Sequence, residues 1–225
     1  MKTPSQISPQ PPRSRDDLIA SLTEDLTPVK RVKPVEGIVL IAFAAVLASI
    51  ASIAAHDWWD GLLTGEASGY FIITHGLLLV LGAVSTTALV SGALPRVGSR
   101  ADAPLWGAIM LGILPLGAVI SLLSTPGSHA NEGLNDPVAY MCTTASLAAG
   151  ALVLVAATLW LRRGAPVSIE RSGWLAGLAA GSLGTLAYGI TCPLDTFSHV
   201  GLWHVAPVAI GAVIGRLVVP PLIRW

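Results

Sequence analysis

The sequence predicts an all-α fold: a bundle of six transmembrane helices behind a short cytoplasmic N-terminal tail. The first observation is composition. The 225 residues are 53% hydrophobic and only 12% charged, whereas soluble domains carry about 25% charged residues. Second, several apolar blocks follow residue 35, each long enough at about 20 residues to cross a membrane. Third, Lys and Arg are restricted to the tail, to alternate connections between blocks and to the C-terminal end.

Residues 1–35 form the predicted tail, which has no long apolar run. Ser14-Arg15-Asp16-Asp17 is typical of an N-terminal capping box, with acidic side chains at the positive end of the helix dipole. Apolar residues follow at spacings of three and four, and Pro28 would end the helix, so we expect a helix at about 15–27. The apolar stripe comprises Leu18, Ile19, Leu22, Leu26 and Val29.

The tail helix is predicted to bind a partner. A helix of about twelve residues is not stable alone in water, so an amphipathic one is expected to fold into a groove of another protein. The alternative is a helix lying on the membrane surface. Its acidic residues argue against that, because the anionic inner leaflet attracts Lys and Arg. The basic cluster Lys30-Arg31-Lys33 is interpreted as the juxtamembrane anchor.

Residues 36–225 are interpreted as one membrane domain surrounded by lipid. Glycines four residues apart in the fifth block (173–181) and at Gly211 and Gly215 in the sixth predict close packing of these helices, or a homodimer through them. Pro115 and Pro207 predict kinks. The six blocks lie at about 36–55, 70–94, 104–124, 138–161, 173–192 and 200–223.

The distribution of charge predicts the orientation. Connections 56–69, 125–137 and 193–199 contain no Lys or Arg but several acidic residues. The positive-inside rule therefore places the other connections and both termini in the cytoplasm. The formal net charge of zero gives no basis for direct nucleic-acid binding.

The two cysteines, Cys142 near the start of the fourth block and Cys192 at the end of the fifth, are predicted at the same outer boundary. They could be inert core residues, a structural disulfide, or a redox or metal sensor. The sensor is favoured, because the outer compartment of a bacterium is oxidising.

All five histidines are also expected on the outer side, and thiolate and imidazole are the ligands that zinc, cadmium and copper prefer. The candidate metal ligands besides the cysteines are Asp195, His199, His204 and His129.

Features that an enzyme or a carrier would need are scarce in the sequence. No Asp or Glu lies at the centre of a block, which disfavours proton-coupled transport, and no paired histidines at depth suggest haem. We therefore predict no enzymatic activity and no resident cofactor, apart from transient binding of a heavy metal. The alternatives are a membrane thiol oxidoreductase or metal permease using the outer Cys and His residues, or a structural subunit that docks another cytoplasmic protein.

The whole chain resembles the NrsF-type membrane anti-sigma factors. The resemblance is carried by Asp16-Asp17-Leu18-Ile19 with Leu22, by Pro28-Val29-Lys30-Arg31, by Cys142, and by Cys192-Pro193 with Asp195 and Trp203. It implies a bacterial inner-membrane protein that sequesters an extracytoplasmic-function sigma factor through its tail. It also implies that Cys142 and Cys192 respond to heavy-metal or oxidative stress. Several of the histidines are not matched to the family by this resemblance, so their role as ligands is a prediction from this sequence alone. The predicted sigma-factor-binding residues are Asp16, Asp17, Leu18, Ile19, Leu22, Leu26, Val29, Lys30 and Arg31.

Overall fold

The computed structural model of the protein describes residues 14–24, 26, 32–94, 102–124 and 137–224. The chain divides into two compact units, residues 1–31 and residues 32–225, and each is described by itself. The described parts of both units are helical.

The first unit contains helix α1, Arg15–Glu24. The predicted capping box is confirmed: the Asp17 amide donates to Ser14 Oγ at 3.2 Å, and the Ser14 amide donates to the Asp17 carboxylate at 3.3 Å. The helix ends earlier than the predicted 15–27. Near its end the Thr23 hydroxyl donates to the Ile19 carbonyl at 2.9 Å, a side-chain bond that competes with helix propagation. Val29, Lys30 and Arg31 lie outside the described residues.

The second unit begins with α2 and holds the remaining helices. In chain order these are α2 (Pro34–His56), α3 (Gly61–Thr64), α4 (Gly69–Gly92), α5 (Ala103–Ser124), α6 (Pro137–Leu161), α7 (Ile169–Gly189), a π-helical turn (His199–Trp203) and α8 (Ala206–Ile223). Five segments of the described residues are long and apolar enough to cross a membrane: Pro34–His56, Gly69–Gly92, Ala103–Ser124, Val138–Leu161 and His199–Ile223.

The prediction of six apolar spans is therefore corrected to five. The fifth predicted block is helical, as α7, but Gly, Ser and Thr residues replace the large aliphatic side chains that make a span apolar. Fourteen of its 21 residues are buried, whereas only three of the 22 residues of α5 are. A helix enclosed by its neighbours does not need side chains that dissolve in lipid, and its hydropathy falls accordingly.

The centre of the second unit is α7, which packs against α2, α4, α6 and α8. A Cβ atom at Gly173 would lie 2.8 Å from the carbonyl oxygen of Gly215, and one at Gly211 would lie 3.0 Å from that of Gly177. The predicted packing of the fifth and sixth blocks through glycines is thus confirmed within one chain. A homodimer through these helices stays a prediction, and it would have to use their other faces.

The prolines differ from each other in their effect. Pro115 lies inside α5, but Pro207 lies in the first turn of α8, where a proline fits because its missing N–H would have no helical partner. Pro207 therefore starts a helix instead of kinking one, and the sixth predicted block is divided into the π-helical turn and α8.

Candidate metal centre

Four side chains that can bind a metal meet at one end of the second unit. Cys142 lies in the second turn of α6, Cys192 follows the end of α7, His199 opens the π-helical turn, and His204 links that turn to α8. Their ligand atoms all lie within 4.8 Å of one another, and all four residues are buried. The two cysteines, which the sequence predicts at the same depth, lie side by side, and two of the predicted histidine ligands, His199 and His204, lie next to them.

The distances within the cluster fit metal coordination better than a disulfide. Cys142 Sγ and Cys192 Sγ are 3.6 Å apart, and Cys192 Sγ is 3.6 Å from His199 Nε2. A disulfide needs about 2.05 Å. Bond lengths to zinc of about 2.3 Å for sulfur and about 2.05 Å for nitrogen, at tetrahedral angles, place two sulfurs about 3.8 Å apart and a sulfur and a nitrogen about 3.6 Å apart.

The thiols are more deeply buried than an exposed sensor at the outer boundary would be. Cys142 and Cys192 are 0% and 1% exposed. They pack with Tyr188, whose hydroxyl lies 3.5 Å from Cys142 Sγ, and with partly buried Val138, Ala145 and Leu194. Apolar surroundings favour a site that is electrically neutral overall.

His75, on α4, supports the cluster from outside and was not among the predicted ligands. Its Nδ1 lies 2.8 Å from the carbonyl oxygen of Phe71, and its Nε2 lies 3.4 Å from His204 Nδ1. Gly189 makes room for it, because a Cβ atom there would collide with the His75 ring. The signal that could have identified His75 is its depth in the second block, about five residues from the outer end, which matches that of Cys142.

Asp195 is not part of the cluster. Its carboxylate accepts hydrogen bonds from the Ser68 amide and, at 2.6 Å, from the Ser68 hydroxyl. The Ser68 hydroxyl in turn caps α4 by accepting from the Phe71 amide at 3.2 Å. Asp195 therefore fixes the start of the helix that carries His75. The other predicted ligand, His129, lies outside the described residues.

The partner-binding residues predicted at positions 16–22 lie on α1, which has no buried residue. Leu18, Ile19 and Leu22 are 47%, 51% and 64% exposed, and Leu26, just beyond the helix, is 71% exposed. Asp16 and Asp17 lie in the first turn, as predicted.

Comparison with known proteins identifies the family. A family model described as "NrsF: Negative regulator of sigma F" matches residues 22–225. The chain belongs to the NrsF family. A curated relative, the anti-sigma-F factor NrsF of Caulobacter vibrioides (strain NA1000 / CB15N), is 25% identical over 215 residues, which are 93% of this chain and 99% of that protein. No solved structure shows significant similarity to the chain.

The NrsF match confirms the resemblance found in the sequence, and its range is informative. It includes α2 to α8 and the four clustered ligands, but it begins at Leu22, within α1. The description of the NrsF family names a regulator, which disfavours the thiol oxidoreductase alternative.

Proposed function

We propose that this protein is an inner-membrane anti-sigma factor. It sequesters an extracytoplasmic-function sigma factor through its N-terminal tail and releases it when Cys142 and Cys192 react with an oxidant or a heavy metal. The observation that carries the proposal is the NrsF family match over residues 22–225. The relative from Caulobacter is itself named an anti-sigma-F factor.

The apolar stripe of α1 supports a docking role for the tail. Its large side chains are exposed, and no side chain of α1 is buried. Fully burying a Leu or Ile side chain contributes roughly 1.5–3 kcal/mol. Three or four such side chains in a groove offset the cost of ordering a short helix that is marginal alone.

The distribution of charge supports the proposed orientation. The basic residues at both ends of the chain and in the connections before α5 and α7 favour a cytoplasmic tail, where a sigma factor is available. Both termini can lie on one side only if α7 crosses the membrane as well. We propose that it does so enclosed by α2, α4, α6 and α8, since 21 residues at a rise of about 1.5 Å per residue suffice to cross.

A contact at the far end of α6 supports coupling between the thiols and the tail. α6 carries Cys142 near its start and Trp160 in its last turn. The Trp160 ring is 0% exposed and lies against Gly37, three residues after the start of α2. A shift of α6 caused by chemistry at Cys142 would therefore reach the helix that continues from the tail.

The magnitude of the signal is sufficient. Changing a population from 1:99 to 99:1 needs about 5.5 kcal/mol of differential binding between the two states. Structural zinc sites bind with apparent free energies of about 10–16 kcal/mol. If the metal bound one state of the bundle more tightly than the other by about half of this free energy, the difference would be enough to release the sigma factor.

The test of sequestration is the binding of the full-length protein, in detergent, to the extracytoplasmic-function sigma factor encoded nearest its gene. Leu22→Asp places a charge in the apolar stripe and should weaken binding at least about 100-fold, or roughly 3 kcal/mol. Ala20→Asp introduces the same charge on the opposite side of α1 and is the matched control, with binding within about threefold of the wild type. Equal affinities for both variants would contradict docking through the stripe.

A further inference from the structure

We propose that Cys142, Cys192, His199 and His204 form a tetrahedral site for one divalent soft cation, Zn²⁺ or Cd²⁺. The separations of 3.6 Å from Cys192 Sγ to Cys142 Sγ and to His199 Nε2 match the sulfur–sulfur and sulfur–nitrogen edges of such a tetrahedron, about 3.6–3.8 Å. All four ligand atoms lie within 4.8 Å of one another, so the remaining ligands need only close in on a common centre. A signalling role for this site rests on the proposed function; the binding of the metal does not.

The hydrogen bonds that link Phe71, His75 and His204 leave the lone pair of His204 Nε2 available to bind a metal. The Phe71 carbonyl can only accept, so His75 Nδ1 carries the proton and its Nε2 is an acceptor in the neutral ring. His204 Nδ1 then donates to His75 Nε2. In the neutral His204 ring Nε2 is then unprotonated, which is the state that a metal ligand requires.

The Nε2 atom of His204 is also without a hydrogen-bond partner among the described residues, although His204 is 0% exposed. Leaving a buried polar atom without a partner is unfavourable, because it loses the hydrogen bonds that it makes to water in the unfolded chain. Coordination to a cation would satisfy this atom and explain why a fully buried imidazole faces two thiols.

Charge balance favours a divalent ion at this site. On binding, each thiol gives up its proton to water, so two thiolates, two neutral imidazoles and one divalent cation form a neutral centre. A neutral centre suits the apolar surroundings of the thiols. Sulfur and imidazole ligands select Zn²⁺ or Cd²⁺ over Mg²⁺ and Ca²⁺, which prefer oxygen.

The experiment is a Co²⁺ titration of the purified full-length protein in detergent, followed by displacement with Zn²⁺ and Cd²⁺. We expect one Co²⁺ per chain, with intense visible bands of a tetrahedral ion and thiolate-to-cobalt charge transfer. Cys142→Ser should remove about half of the charge transfer, and His204→Gln should lower the affinity by more than 100-fold. His56→Gln alters an exposed histidine that contacts the ring of Tyr188 but is not one of the four ligands, and this variant should bind like the wild type.

His75→Gln tests the supporting role separately. Loss of a group that orients a ligand lowers metal affinity by about 10–100-fold, so this variant should bind more weakly but keep the tetrahedral spectrum. X-ray absorption of the wild-type protein with Zn²⁺ tests the ligand set without relying on the folding of any variant. Two sulfurs at about 2.3 Å and two nitrogens at about 2.0 Å from the zinc are expected.

Weak bands of an octahedral ion, an absorption spectrum with oxygen ligands only, or an unchanged affinity in His204→Gln would overturn the metal site. The sigma-factor binding assay separates this failure from that of the proposed function. If the protein binds Co²⁺ as expected but binds no sigma factor, the metal site stands and the proposed function is wrong. If it binds the sigma factor but shows no tetrahedral Co²⁺, the proposed function stands and the metal site is wrong.

Discussion

Trp160, in the last turn of α6, lies so close to Gly37, in the first turn of α2, that a Cβ atom at residue 37 would come within 2.5 Å of the indole ring. The contact joins the end of the helix that carries Cys142 to the start of the helix that follows the tail. It also leaves no space for a methyl group, since Trp160 is 0% exposed and packs in the apolar core.

Gly37→Ala should therefore destabilise the bundle by about 1–3 kcal/mol, the usual cost of overpacking a core. The measurement is the midpoint of thermal unfolding in detergent. Gly76→Ala is the matched control, because a Cβ atom at Gly76 in α4 would contact nothing within 4 Å, and it should be neutral or slightly stabilising. A Gly37→Ala protein as stable as Gly76→Ala would show that the contact is loose.

Asp195→Ala should lower stability by about 1.5–3 kcal/mol, because it removes hydrogen bonds to a charged acceptor and leaves the Ser68 donors without a partner. Ser68→Ala removes the other side of the same interaction. In a double-mutant cycle the combined loss should be clearly smaller than the sum of the two. The tetrahedral Co²⁺ spectrum should persist in Asp195→Ala. Its disappearance would indicate that Asp195 is a metal ligand after all.

Much of the second unit could be predicted from the sequence, because length, hydropathy and small-residue spacing are local properties. The Ser14 capping box is local in the same sense. The number of apolar spans was wrong because the hydropathy of α7 reflects its enclosure by other helices, which no window of its own sequence records.

The site was predicted in part for a similar reason. Cys142 and Cys192 could be paired from depth alone, and His199 and His204 from their proximity to Cys192 in the chain. The pairing of Asp195 with Ser68 and of His75 with His204 joins residues more than 120 positions apart. Such contacts depend on how the helices are arranged around α7, and no local pattern encodes that arrangement.

Metal binding should protect the thiols from oxidation. Disulfide formation transfers two electrons from two thiolates to a peroxide, which takes up two protons and is reduced to two waters, and the metal–sulfur bonds must break first. We expect the rate of Cys142–Cys192 disulfide formation with hydrogen peroxide to fall at least about tenfold in saturating Zn²⁺. Mass spectrometry after alkylation measures it. An unchanged rate would mean that the thiolates do not hold the ion.

α7 should cross the membrane although its hydropathy is low. Single cysteines at Pro193 and Val167, both exposed positions beyond the two ends of α7, can be introduced into a protein with Cys142→Ser and Cys192→Ser. An impermeant maleimide added to intact cells should label position 193 at once and position 167 only after permeabilisation. Labelling of both positions from one side would place α7 on a single face of the bilayer.

The most direct test of the account measures the affinity of the full-length protein for its sigma factor with and without Cd²⁺, at constant ionic strength and with Mg²⁺ as control. The wild-type protein should bind the sigma factor at least about tenfold more weakly in Cd²⁺, a change of about 1.4 kcal/mol. Cys142→Ser should bind it as tightly as the wild type and show no such change. Equal affinities of the wild type in Cd²⁺ and Mg²⁺, or an equal loss in the Cys142→Ser variant, would contradict control of sequestration by these thiols.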